Sequence, residues 1–171
     1  MGIGGSEHLS LMLFPAVLAA PSASGHHHAM PQGEHDYLPD ETASKTVTVS
    51  SEGSPAENAI TVLTQAVAIK ETGPKKTVAR FGEVYSFAPS FIGVHRDQPT
   101  AISFWNLQAD DDHDFMLVDP DLDVLMKVKL PALRKTSYVF TFHRDGIFNF
   151  YCTLHQPEMS GQILVLPPVA H

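Results

Sequence analysis

Residues Ser137–Cys152 read SYVFTFHRDGIFNFYC, two short runs in which every second residue is aromatic or apolar. Tyr138, Phe140 and Phe142 share one face of the first run; Phe148, Phe150 and Cys152 share one face of the second. A period of two marks a half-buried strand, because successive side chains point to opposite faces of a sheet. Between the runs, Arg144-Asp145-Gly146 is a turn signal. The stretch therefore predicts two strands that each turn an aromatic face to a core.

The same alternation recurs on both sides. Candidate strands are Ala59–Lys70, Glu83–Phe87, Ile92–Arg96, Thr100–Asn106, His113–Val118, Val124–Leu130, Ser137–His143, Ile147–Cys152 and Gln162–Leu166. Thr72-Gly73-Pro74, Asp97-Gln98-Pro99 and Asp119-Pro120-Asp121 punctuate them. Ile163 to Leu166 is apolar on both faces, as a covered strand would be. From Thr46 onward no segment keeps a helical period for three turns, and there is no internal repeat. Many short strands with regular turns mean an all-β antiparallel sandwich or barrel.

Composition agrees. The chain has 171 residues, 43% hydrophobic and 18% charged, which suits one globular domain with a short appendage. Eleven basic residues against 19 acidic give a net charge of −8, which excludes nucleic acid as the main partner and favours cationic ones. A single cysteine excludes a disulfide framework and any metal cluster built from cysteine alone. Ten histidines are many for this length.

Near the start, LSLMLFPAVLAA (Leu9–Ala20) is apolar and PSASG (Pro21–Gly25) is small. The run is too short to span a bilayer, which takes about 20 apolar residues, so no stable membrane insertion is expected. Residues 1–24 instead read as a secretory signal, although no Lys or Arg precedes the apolar run and Pro15 lies inside it. The expected location is the periplasm or another exported compartment. Residues 25–45, with His26, His27, His28 and His35 among Pro, Gly and acids, read as a disordered His-rich linker. Its imidazoles can bind divalent copper, nickel or zinc weakly; the plainer reading is a polar tail.

Chemistry concentrates in FNFYCTLHQPEMSG, Phe148–Gly161. Cys152 ends an aromatic strand, His155 follows, and Met159 lies two residues before Gly161. A loop this short can aim a thiol, an imidazole and a thioether at one point but cannot surround a metal ion. The remaining ligand must come from elsewhere, and His113, opening an earlier strand, is the candidate. One thiolate, two imidazoles and a weak thioether suit both oxidation states of copper. Taken singly, each residue has a bland reading: a buried cysteine, a surface histidine, a methionine filling the core.

In these residues the sequence resembles the cupredoxin family of blue-copper proteins. The likeness covers about Thr77 to Pro167 and rests on Phe148, Phe150, Cys152, His155, Met159 and Gly161. Phe87-Ala88-Pro89 through Val94, Ile102–Asn106 and His113-Asp114-Phe115 look like the cupredoxin domains of nitrous-oxide reductase, cytochrome oxidase subunit II and nitrosocyanin. The resemblance implies a Greek-key β-sandwich over residues 77–168, with residues 46–76 as an N-terminal strand extension. It implies one copper ion, cycling between Cu⁺ and Cu²⁺, with His113, Cys152 and His155 equatorial and Met159 axial. A dinuclear centre of the oxidase type needs a second loop cysteine, which is absent. The three-residue interval between His155 and Met159 lies between the two and four usual in small members, and Glu158 competes as a ligand.

Asp110, Asp111, Asp112 and Asp114 flank His113, and Asp119, Asp121 and Asp123 follow. They read either as a field steering a basic redox partner such as a cytochrome, or as solvated turn formers. Leu154, Pro157 and Met159 surround His155 as an apolar docking patch; His95 and His143 read as structural or surface histidines. The expected function is one-electron transfer, to a cytochrome or a cuproenzyme, without substrate chemistry. Copper delivery, or a nitrosocyanin-like red-copper site that binds small ligands, are the alternatives.

Overall fold

The computed structural model describes Met1 and residues 36–169. The linker histidines and most of the segment read as a secretory signal lie outside the described residues. Ten strands form two five-stranded sheets: β1 (Val47–Ser51), β2 (Asn58–Ala68), β3 (Val84–Ala88), β4 (Phe91–His95), β5 (Thr100–Asn106), β6 (His113–Val118), β7 (Val124–Leu130), β8 (Lys135–Phe142), β9 (Gly146–Tyr151) and β10 (Ser160–Leu166). One sheet has the order β1-β8-β5-β2-β3 and the other β4-β10-β9-β6-β7. Consecutive strands repeatedly change sheets, which gives the Greek-key β-sandwich, and two parallel pairs (β2 with β5, β4 with β10) make both sheets mixed.

The period-two patterns place the core. In β5 the buried residues are Thr100, Ile102, Phe104 and Asn106; in β9 they are Phe148 and Phe150. Phe104 meets Phe115 at 4.4 Å between centroids, Phe87 meets Phe150 at 5.3 Å, and Phe142 meets Phe148 at 4.9 Å, so these rings join one sheet to the other. Each fully buried ring contributes about 1.5–3 kcal/mol of transfer free energy.

Three elements escaped the sequence reading, the first a single 3₁₀ turn over Ala43–Lys45, in the segment read as a linker. β1 lies in the segment read as an extension and pairs along its whole length with β8. A short helix α1 (Lys75–Phe81) follows Pro74 and stops at Gly82, whose φ is +79°. None of its residues is buried, so it has no apolar stripe from which a period could be read.

Ahead of β1, Tyr37 forms a two-bond bridge to Lys127 on the outer edge of β7, and the Asp36 carboxylate accepts the Lys129 N–H at 2.8 Å. Gly161 in β10 is required by close approach: a Cβ there would overlap the Phe150 ring and the Ser90 carbonyl oxygen.

Candidate metal centre

The centre lies at one end of the sandwich, where β6 begins and β9 ends. His113 is the first residue of β6 and is 1% exposed. Cys152 follows β9 immediately and is fully buried, in phase with Phe148 and Phe150. The turn to β10 is closed by three backbone bonds. Cys152 N–H donates to Met159 O at 2.9 Å, His155 N–H to Cys152 O at 3.4 Å, and Met159 N–H to His155 O at 2.9 Å. Ser160 pairs with Tyr151, so Met159 and Cys152 face each other across the hairpin. Met159 is fully buried, His155 half-buried and Glu158 exposed.

Three of the four residues bring donor atoms to one point. His113 Nδ1 lies 3.1 Å from His155 Nδ1, and the Cys152 sulfur lies 3.9 and 3.5 Å from them. In the plane of that triangle one point is about 2 Å from every corner, close to first-row metal bonds of about 2.0–2.1 Å to nitrogen and about 2.3 Å to sulfur. The donor set fits a copper ion in both spacing and chemistry: two imidazoles and a sulfur suit either oxidation state.

The surroundings prepare these donors. His113 Nε2 lies 3.0 Å from Gln108 Oε1, an acceptor, so Nε2 carries the proton and Nδ1 presents its lone pair to the centre. Gln108 is held in turn: its Oε1 accepts from the Thr64 hydroxyl at 2.5 Å, and its backbone N–H donates to Asn106 Oδ1 at 3.0 Å. Asn106 is buried, and its amide nitrogen donates to Asp111 O and Leu130 O. Tyr85 packs its ring on both His113 (4.9 Å) and His155 (4.6 Å) and donates its hydroxyl to Asp111 Oδ2 at 2.5 Å. The backbone N–H of Asp114 donates to the Cys152 sulfur at 3.4 Å.

Burial tunes the protonation states. It pushes His113 down to about 4, helped by repulsion from His155 and opposed by Asp111, Asp114 and Asp112. It pushes the Cys152 thiol up to about 11, against the Asp114 N–H bond, which favours the thiolate. The Tyr85 phenol is raised above its ordinary range, first by burial and then by Asp111. At neutral pH, without metal, His113 is therefore a neutral imidazole and Cys152 a thiol. A bound ion must displace the thiol proton.

The acidic run does not form one exposed field. Asp114 is buried, holding the N–H and hydroxyl of Thr153 and pairing with Lys127 at 3.2 Å. Asp111 holds Tyr85, and Asp112 accepts the Ala132 N–H. Asp119 is buried at the far end of β6, accepting the N–H groups of Asp121 and Asp123. That end lies about 17 Å from His113. Asp114 and Asp119 are thus buried braces, which neither reading described, while Asp110 and Asp112 are exposed beside His113.

Leu154 and Pro157 are exposed around half-buried His155, whereas Met159 is buried and no part of that surface. His95 bonds Pro167 O, and His143 bridges Thr48 and Asp97; both serve the scaffold.

Sequence reading missed Thr64, Tyr85, Asn106 and Gln108 as supports of the centre. Three of them carried a signal: Thr64, Tyr85 and Asn106 are polar-tipped residues in phase with the buried Val62, Phe87 and Phe104.

Among the described residues no helix is long and apolar enough to cross a membrane. No protein-family model and no curated protein matches the sequence. Solved structures do match the fold. Auracyanin B superposes with a TM-score of 0.50 at 14% identity, over 72% of this chain and 99% of that one. Auracyanin A, a "blue" copper protein from the green thermophilic photosynthetic bacterium Chloroflexus aurantiacus, gives 0.45 at 16% identity, over 63% and 98%. An amicyanin variant in its reduced Cu(I) form gives 0.43 at 22% identity, over 71% and 99%. The auracyanin B superposition spans nearly all of that protein, and with the two mixed sheets described above it shows that this chain has the cupredoxin fold.

Proposed function

We propose that the protein is a mononuclear, type 1-like copper protein that carries single electrons outside the cytoplasm. His113, Cys152 and His155 would hold the ion in one plane, with Met159 as the axial ligand. The observation that carries this reading is the triangle of His113 Nδ1, His155 Nδ1 and Cys152 Sγ around a point at metal-bond distance. Met159 is favoured over Glu158 because its side chain is fully buried against the same core as Cys152, while Glu158 is exposed.

When bound, copper supplies a one-electron couple between Cu⁺ and Cu²⁺. The rest of the work falls to the chain. Gln108 keeps the His113 lone pair inward, and Asp114 anchors the sulfur and the turn behind it. A donor set held by packing and hydrogen bonds has little freedom to rearrange, which favours fast electron exchange. Half-buried His155, ringed by exposed Leu154 and Pro157, is the edge nearest a partner. Residues 1–24 serve as the export signal, and the partner is a redox protein such as a cytochrome or a cuproenzyme. No substrate chemistry is assigned to the chain.

Reconstitution with one equivalent of copper(II) tests the reading. The expected result is an intense visible thiolate-to-copper absorption that disappears in Cys152→Ala. Absence of the band in wild type, or its survival in that variant, overturns the proposal.

A further inference from the structure

We propose that Tyr85 is a second one-electron site, which gives an electron to a strong outer-sphere oxidant as its phenolic proton passes to Asp111, and which is refilled through the imidazoles of His113 and His155. The refilling half rests on the copper reading above; the first half rests on Tyr85 and Asp111 alone.

The geometry supplies each part. Tyr85 sits on β3 in phase with Phe87 and is 2% exposed. Its ring centroid is 4.9 Å from that of His113, inclined at 65°, and 4.6 Å from that of His155, inclined at 58°. It therefore touches both imidazoles of the donor triangle. A phenylalanine would fill the same space; what tyrosine adds is the hydroxyl, aimed at Asp111 Oδ2 at 2.5 Å.

That pairing is the one a redox-active phenol needs. Loss of an electron turns a phenol into a strong acid, so oxidation is easiest where a base stands ready at hydrogen-bond distance. Asp111 is half-buried and fixed at its own carbonyl by the Asn106 amide at 2.8 Å. Burial of the ring keeps the resulting phenoxyl from coupling with a second chain. Of the four tyrosines, Tyr85 alone has a hydroxyl hydrogen-bonded to a carboxylate among the described residues.

The steps balance. In the first, the Tyr85 O–H bond breaks, its proton bonds to Oδ2 of Asp111, and one electron reduces the oxidant. A neutral phenoxyl and a carboxylic acid remain. In the second, one electron drawn from the reduced centre through His113 or His155 and the proton from Asp111 restore the phenol. An oxidising equivalent reaching this end of the sandwich is thus stored as oxidised metal rather than spent on the Cys152 sulfur.

The test is flash-quench oxidation of the full chain with photogenerated tris(bipyridine)ruthenium(III), read by transient absorption and paramagnetic resonance. Zinc, which has no redox chemistry and accepts the same donors, fills the centre in one sample and copper(I) in another. The zinc form should give a phenoxyl signal that is lost in Tyr85→Phe and kept in Tyr138→Phe and Tyr151→Phe. Asp111→Asn should slow its formation at least about tenfold, the scale of a lost proton acceptor. Formation in wild type should also slow in heavy water, a readout that does not depend on that variant folding. In the copper(I) form the phenoxyl should decay faster than in the zinc form, as oxidised centre appears. A wild-type phenoxyl yield in Tyr85→Phe, no effect of heavy water, or equal decay in both metal forms overturns the proposal. A blue copper spectrum without a phenoxyl sinks this inference alone; a phenoxyl at Tyr85 in a chain that takes up no copper sinks the copper reading and leaves the first step standing.

Discussion

The backbone N–H of Asp114 points at the sulfur of Cys152, 3.4 Å away, and the carboxylate of the same residue grips Thr153, the next residue along. One residue of β6 thus fixes both the sulfur and the start of the turn that carries His155. Lys127 balances the buried charge from β7. Replacing Asp114 with Ala removes the grip and leaves Lys127 without its partner. The expected loss is about 3 kcal/mol, the scale of breaking a buried ion pair, and Asp114→Asn, which keeps an acceptor for the Thr153 N–H, should lose less. Urea unfolding of the metal-free chain measures both; equal stability in all three proteins contradicts the assignment.

Gln108 is the only side chain bonded to the outer nitrogen of His113 among the described residues. In Gln108→Ala that nitrogen keeps its proton without a partner, and the ring is free to turn. Metal affinity should fall about 10- to 100-fold, the usual cost of removing such a support, as read by competition with a chelator.

The metal-free protein should be most stable between about pH 6.5 and 9. His113 falls from an ordinary value of 6.5 to about 4 on folding. Between those values the unfolded chain binds the extra proton, so stability drops as pH falls below 6.5. The Cys152 thiol rises from 9.0 to about 11. There the unfolded chain loses its proton first, so stability drops as pH climbs above 9. Thermal melts across this range should trace a plateau with two shoulders, and Cys152→Ala should move the onset of the alkaline one from about pH 9 to about 10, where Tyr85, also raised by burial, takes over.

Gly161→Ala should destabilise the fold by about 1–3 kcal/mol, the range for overpacking a filled core, because its methyl group meets the Phe150 ring and the Ser90 carbonyl oxygen. Denaturant midpoints of wild type and variant give the number. An unchanged midpoint would mean that β10 and Phe150 separate more easily than their packing indicates.

Much of the sandwich was readable from the spacing of Phe140, Phe142, Phe148 and Phe150, because burial alternates along β3, β4, β5, β9 and β10, though not along β6, which is buried throughout. Seven-residue α1 was not, since a helix with no buried face leaves no pattern. The convergence of His113 with Cys152 and His155 followed from three residue types at strand ends. Their supports were harder to see. Gln108, Tyr85 and Thr64 come from three separate stretches, and only the folded topology shows that they meet. The acids were legible as a cluster but not as braces, because a sequence cannot tell Asp114, which faces Thr153 and Lys127, from Asp110 on the surface.

The bridge from Tyr37 to Lys127 has a bearing on handling the protein. An uncovered sheet margin offers free N–H and C=O groups to any passing chain, and this one-residue patch shields part of β7 from such docking. A truncated form beginning at Val47 would lose that shield and the Asp36 contact beside it. Its fate in concentrated solution would then be self-association through β7, margin to margin.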